Sequence, residues 1–96
     1  MSIFATIKSI EYFLPEKVLT NEILAQEIPG WDPFKIAKKT GIVERRIASN
    51  NECSSDLGVY AAQKLIKNSS LDIEEIDYIL FCTQTPDYFL PTTACI

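Results

Sequence analysis

The hydrophobic and polar positions change period several times along the chain, and each change marks an element. From Ser2 to Phe13, Ile3, Ala5 and Ile7 alternate with Phe4, Thr6 and Lys8. The alternate face is itself partly apolar, so the pattern predicts a strand well inside a sheet. Leu14-Pro15-Glu16 ends it. Thr20 then stands as an N-cap, with Glu22 in the first turn of a short helix to about Ile28, and Pro29-Gly30 stops that helix. Asp32 followed by Pro33 opens a basic helix holding Lys35, Lys38 and Lys39 on one face. Gly41 breaks it, as a residue just past a helix end often does.

Val43 to Ala48 reads as a short extended segment bearing Arg45 and Arg46, and Asn50-Asn51-Glu52 as a turn. Cys53 is a helix-start residue, and Ser54 or Ser55 caps the longest helix, from about Asp56 to Asn68. Leu57, Tyr60, Ala61 and Leu65, with Val59, Ala62 and Ile66 beside them, form a broad stripe predicted to be buried. Gly58 within it predicts a close helix–sheet contact. Leu71 to Asp77 reads as a capped single turn. Tyr78 to Thr83 is a continuous β-prone run, predicted as a strand buried on both faces with Cys82 in the core. A loop from Thr85-Pro86-Asp87 to Pro91 leads to the small residues Thr92, Thr93 and Ala94, and Cys95 falls in the first turn of a new helix. Strands and helices in this order give an α/β fold class.

The 47% hydrophobic and 23% charged content is that of an ordinary globular protein. No stretch approaches the roughly 18 apolar residues that span a bilayer, and the N-terminus lacks the pattern of a secretory signal, which together point to the cytoplasm and to no membrane partner. Cys53, Cys82 and Cys95 form neither an even set nor a C-x-x-C pair, and the chain has no histidine, so neither a disulfide framework nor a metal site is expected. The net charge of −4 and the absence of a nucleic-acid motif argue against nucleic acid as a partner.

Chemistry concentrates at Cys95. In the first turn of a helix its thiol meets unpaired backbone N–H groups and the positive end of the helix dipole, both of which favour thiolate. Strand, loop, helix start and cysteine together make a nucleophile station. The alternative is a buried cysteine acting as a small hydrophobe.

Resemblance adds to this. Leu90-Pro91-Thr92-Thr93-Ala94-Cys95, after Cys82-Thr83-Gln84-Thr85-Pro86-Asp87, resembles the active-site approach of the β-ketoacyl-ACP synthase III family. Thr40-Gly41-Ile42-Val43-Glu44-Arg45-Arg46-Ile47-Ala48 is similar to that family's T-G-I-x-E-R-x-I segment, and the opening Leu14 to Asn21 fits as well. The resemblance implies a thiolase-like fold, layered α/β/α/β/α in the complete protein, and a homodimer. It makes Cys95 the acyl-accepting nucleophile. The family's His and Asn fall beyond Ile96, so residues 1–96 are read as the incomplete N-terminal portion of such a domain, inactive alone and ending at the nucleophile.

Lys35, Lys38, Lys39, Arg45 and Arg46 place five of the nine cations within twelve residues. They are either a solvated face or a docking surface for phosphates or an acidic carrier protein. The family holds the adenine nucleotide of coenzyme A in this region, with a Trp and an Arg on the helix before T-G-I. Here Lys35 and Lys39 occupy those positions, and Trp31 lies four residues before Lys35. Lysine neither stacks as an aromatic ring does nor matches the planar fork of arginine, so a longer acyl chain, or one delivered on a carrier, becomes credible. Phe89 and Leu90 are candidates for the acyl pocket or dimer interface, with plain core packing as the alternative.

What the resemblance implies is acyltransfer. Cys95 takes an acyl group from a thioester, and decarboxylative Claisen condensation with malonyl-ACP follows, initiating fatty acid or related polyketide-type synthesis. Acyl-CoA and malonyl-ACP are substrates, no cofactor is needed, and acyl carrier protein is the partner. Two other classes stay open: another condensing enzyme of the thiolase superfamily, such as hydroxymethylglutaryl-CoA synthase or a plant-type polyketide synthase, and a non-catalytic dimerising partner.

Overall fold

A computed structural model of the chain describes residues 2–96. The chain divides into two compact units, one formed by Leu14–Asn51 and the other by Met1–Phe13 with Glu52–Ile96.

In the Leu14–Asn51 unit, β1 (Lys17–Thr20) pairs antiparallel with β2 (Glu44–Ile47), Lys17 opposite Ile47 and Thr20 opposite Glu44. β1 runs directly into α1 (Asn21–Glu27), capped by Thr20, whose hydroxyl accepts from the Ile23 N–H at 3.3 Å. α2 (Pro33–Thr40) begins at Asp32, whose Oδ1 accepts from the Lys35 N–H at 2.9 Å, with Pro33 at its first position. It ends at Gly41 in the left-handed conformation, φ 71°. That φ favours glycine, and the Gly41 N–H closes on the Ala37 carbonyl at 2.8 Å. Both caps and both ends were legible in the sequence.

Three residues mark the interior of this unit, Pro15, Asn21 and Ile36. Ile36 of α2 is 8% exposed and Asn21, the first residue of α1, only 2%. A buried amide must be satisfied, and Asn21 is. Its Nδ2 donates to the Ile42 carbonyl at 2.7 Å, its Oδ1 accepts from Arg45 Nη2 at 2.9 Å, and its backbone N–H donates to the Val43 carbonyl at 3.2 Å. These bonds fasten the β1–α1 junction to the strand entry. Arg46 Nη1 adds a bond to the Pro15 carbonyl at 3.1 Å.

The second unit is built on α3 (Ser54–Asn68). Cys53, not Ser54 or Ser55, is the N-cap, and its N–H donates to Asp56 Oδ2 at 2.8 Å. The N-terminal segment is tied to α3 near its end. Lys64 Nζ donates to the Tyr12 carbonyl at 2.9 Å, lies 3.5 Å from Glu11 Oε1 and sits 4.9 Å from the Tyr12 ring centroid. Asn68 Nδ2 donates to Glu11 Oε2 at 3.1 Å, and the Phe13 and Tyr60 rings pack at 4.8 Å. A 3-10 turn, Ile73–Glu75, opens at Asp72, whose Oδ1 accepts from the Glu74 N–H at 3.0 Å. A second, Thr93–Cys95, carries the candidate nucleophile.

Several expectations are corrected here. Neither Ser2–Phe13 nor Tyr78–Thr83 forms a strand. A strand exists only through hydrogen bonds to a neighbour, and no described residue pairs with either run. Apart from Phe13 and Phe81, their apolar side chains stay uncovered: Ile3 is 93% exposed, and Leu80 and Cys82 are exposed too. The α3 stripe lacks the sheet expected against it, so Leu57, Leu65 and Ile66 are only half-buried while Val59 and Tyr60 remain exposed. Cys95 occupies a single 3-10 turn rather than the first turn of an α-helix. β1 was not expected, because its four residues sit between a proline turn and a helix cap, too short to show a period.

Candidate active site

Gly58 fixes how the run before the loop meets α3. A β-carbon built on it would lie 2.6 Å from Cε2 of Phe81, closer than real contacts allow. Any larger residue there would require the ring to shift. The contact anticipated at Gly58 is present, made by one aromatic side chain of an extended run rather than by a sheet.

The loop is then tied to the first turn of α3 by hydroxyl and carboxylate groups. Ser55 N–H donates to Asp87 Oδ1 at 3.0 Å, and the Ser55 hydroxyl donates to Asp87 Oδ2. The Ser54 hydroxyl donates to the Thr85 carbonyl, and the Thr85 N–H donates to Thr83 Oγ1 at 3.1 Å. The Ser55 hydroxyl, and then the Ser55 N–H, hold the Asp87 carboxyl below its ordinary range, because both bonds favour the charged form. Asp87 thus serves α3 as a capping anion supplied from another segment.

From Asp87 the chain reaches the Thr93–Cys95 turn. Cys95 is exposed, and its Sγ lies 3.3 Å from Thr92 Oγ1, within hydrogen-bonding distance of that hydroxyl. The Cys95 N–H donates to the Thr92 carbonyl at 2.9 Å and the Ile96 N–H to the Thr93 carbonyl at 3.3 Å. Thr93 Oγ1 is buried with no hydrogen-bond partner. The turn folds back onto α3, where Thr93 and Ala94 line one concavity of about 430 Å³ with Ser55, Gly58, Ala62 and Phe81. A second concavity, about 270 Å³, shares Phe81, Thr93 and Ala94 with the first and is lined also by Thr83, Phe89 and Thr92. Phe89 is 97% exposed, and Leu90, also exposed, is not among its lining residues.

The basic candidates fall in the other unit. Trp31, Lys35 and Lys39 converge on one concavity of about 330 Å³ with Asp32, Ile36 and Thr40. One turn of α2 separates Lys35 from Lys39, so both residues line the same hollow, and Trp31 reaches it from the residue before the N-cap. Arg45 does not line it. Its guanidinium is committed to Asn21, with Nη1 buried and without a protein partner. Lys38 is likewise outside the lining.

Asn21 and the Ser55–Asp87 pair were not found by reading the sequence. Helix-cap chemistry accounts for Thr20 and the residues around it but gives no reason for Asn21 to be buried, and Ser55 and Asp87 are 32 residues apart with no shared motif. Among the described residues no three His, Cys, Asp or Glu side chains group as a metal site would need, and no helix is long and apolar enough to cross a membrane.

Comparison with known proteins gives a consistent result. No family model matches the sequence. A β-ketoacyl-[acyl-carrier-protein] synthase III of Campylobacter jejuni subsp. jejuni serotype O:6 is 51% identical over 92 residues, 95% of this chain and 28% of that protein. The protein of the same name from Sulfurovum sp. (strain NBC37-1) is 42% identical over 95 residues, 98% of this chain and again 28% of the relative. A 2.1 Å crystal structure of 3-oxoacyl-(acyl-carrier-protein) synthase III superposes with a TM-score of 0.74 at 49% identity, covering 90% of this chain and 25% of that one. The chain thus spans a little over a quarter of the length of the curated relatives it matches. At this identity across nearly all of its residues, the chain belongs to the β-ketoacyl-[acyl-carrier-protein] synthase III family and carries part of that family's thiolase-like α/β fold.

Proposed function

We propose that the whole protein carrying this chain is a condensing acyltransferase. Cys95 accepts an acyl group from a thioester and passes it to malonyl-ACP in a decarboxylative Claisen condensation. The observation that carries the reading is the near-complete match of residues 1–96 to proteins named β-ketoacyl-[acyl-carrier-protein] synthase III, taken with an exposed Cys95 in a short turn beside a hydroxyl.

In the first half-reaction the Cys95 thiolate attacks the thioester carbonyl, and the leaving thiolate departs with a proton. Thr92 Oγ1, 3.3 Å from the sulfur, is placed to orient it. Backbone N–H groups are the natural donors to the oxyanion, each typically worth about 3 kcal/mol. The Cys95 N–H is engaged by the Thr92 carbonyl in this turn, so using it requires that bond to open. In the second half-reaction, loss of carbon dioxide from the malonyl thioester leaves a carbanion that attacks the acyl-cysteine. The thiol is released and a β-ketoacyl thioester forms. The chain holds no histidine, so the histidine partner that the family resemblance implies for that step is proposed to belong to another part of the whole protein.

Trp31, Lys35 and Lys39 are the proposed receptors for the phosphate-bearing end of the acyl donor. Two ammonium groups beside an indole suit an anionic, partly aromatic ligand, although lysine acts as a point charge where arginine would grip. Phe89, which shares a concavity with Thr92, Thr93 and Ala94, is proposed to line the acyl path and Leu90 to border it or a homodimer contact. Acyl carrier protein and a second copy of the chain are the proposed partners.

The intact mass of the whole protein, before and after incubation with a series of acyl thioesters, tests the reading. An added acyl mass that disappears in Cys95→Ala supports it. No acylation by any thioester, or equal labelling of the variant, makes Cys95 structural and leaves a non-catalytic partner as the reading.

A further inference from the structure

We propose that Asp87 is a positioning residue for Cys95: by capping α3 through Ser55 it clamps the loop that leads into the Cys95 turn. This rests on the reading of Cys95 as acyl acceptor.

Two contacts join this part of the chain to α3. The Phe81 ring seats against Gly58, and Asp87 binds Ser55 one turn earlier on the helix. Ser55 is the second residue of α3, where a backbone N–H has no acceptor within the helix. A carboxylate taking both that N–H and the Ser55 hydroxyl makes charge-assisted bonds, roughly twice as strong as neutral ones, at the end of the helix where the dipole favours an anion. The bond from the Ser54 hydroxyl to the Thr85 carbonyl holds residues 85–87 as a unit.

The chain then leaves α3 and returns to it. Thr93 and Ala94 line the same concavity as Ser55 and Gly58, so the segment from Asp87 to the Cys95 turn starts and finishes on the first two turns of one helix. Closing both ends of a loop on a rigid element restricts everything between them. Releasing the Asp87 end leaves the turn attached at one side only. Asp87 makes no contact with Sγ, so its influence is on the place of the thiol and not on the bond-making itself.

The whole protein is compared with Asp87→Ala, Asp87→Asn and Ser55→Ala by two readouts. One is the rate of Cys95 acylation by an acyl thioester in a single turnover. The other is the rate of Cys95 alkylation by iodoacetamide relative to Cys53 and Cys82, read by peptide mass. For Asp87→Ala we expect acylation slowed on the order of a hundredfold, as misplacement of a reacting atom by about 1 Å produces, and Cys95 alkylation raised severalfold against Cys53. Asparagine has the same shape, accepts from the Ser55 N–H and donates to the Ser55 hydroxyl, and is expected to restore both values. Ser55→Ala, which keeps the N–H bond, is expected to fall between and serves if Asp87→Ala does not fold. The clamp is overturned by an alanine variant that acylates and alkylates as wild type does, or by an asparagine variant as impaired as alanine. If wild type is not acylated at all, the functional reading fails, while the alkylation ratio still decides the clamp.

Discussion

Phe81 lies so close to Gly58 that a β-carbon there would sit 2.6 Å from the ring Cε2, and this approach joins the run before the loop to the helix that supports the Cys95 turn. Alanine in mid-helix ordinarily gains about 1 kcal/mol over glycine. Here the gain is opposed by the ring, which must move. Gly58→Ala is therefore expected to be neutral or destabilising alone and to stabilise by about 1 kcal/mol when combined with Phe81→Ala. Denaturant unfolding of the four proteins of this cycle measures the coupling. Additive effects would show that the ring does not press on Gly58 in solution.

Asn21 gives the second prediction. It is nearly fully buried, donates to the Ile42 carbonyl and accepts from Arg45, whose other terminal nitrogen is already buried without a partner. Asn21→Ala strands a carbonyl and a guanidinium nitrogen together. The expected loss in unfolding free energy is about 2–3 kcal/mol, toward the upper end for a buried polar deletion because a charged group is one of those orphaned. Arg45→Ala on top of it is expected to cost less than it does in wild type.

A third concerns pH. The Asp87 carboxyl is held below its ordinary range by Ser55, and that of Glu11 below its own, first by Asn68 and then by the Tyr12 N–H. A carboxylate whose folded value is depressed contributes stability that is fully present above its unfolded value, about 3.9 for Asp and about 4.3 for Glu. That contribution is lost as pH falls through the folded value. Melting temperature measured from pH 7 downward is expected to hold and then drop below about pH 4. Asp87→Asn is expected to drop less over that interval, since its bonds to Ser55 do not titrate. Parallel curves for the two proteins would mean that Asp87 is not depressed by folding.

How far the sequence anticipates the structure depends on whether the signal is local. Thr20, Asp32, Gly41 and Asp72 each act on N–H or carbonyl groups within a few residues, and each stands where its residue type predicts. Strands are different, because their hydrogen bonds come from distant segments. The apolar runs 2–13 and 78–83 state a need for cover on both faces without naming the partner, and among the described residues no strand pairs with either. The same holds in the candidate site. Lys35 and Lys39 converge because helical spacing brings them together, with Trp31 just before the helix cap, whereas Ser55 and Asp87 meet through the path of a loop.

The last prediction separates the basic hollow from the nucleophile. If Lys35 and Lys39 receive the phosphates of an acyl-CoA, replacing either with alanine removes one exposed charge contact of about 1 kcal/mol, roughly fivefold in kcat/KM for acyl-CoA. The effect is expected to be larger at low salt, where exposed charges are less screened. The same acyl group carried on pantetheine, which lacks the nucleotide, has no phosphates for these lysines to meet, and its kcat/KM is expected to be unchanged. Trp31→Ala is expected to follow the lysines, and fluorescence quenching by coenzyme A that is present in wild type and lost in Trp31→Ala gives a binding signal independent of turnover. Equal losses with both donors would place these residues in the support of the fold instead. Loss with neither would mark the hollow as a solvated face and favour delivery of the acyl group by a carrier protein.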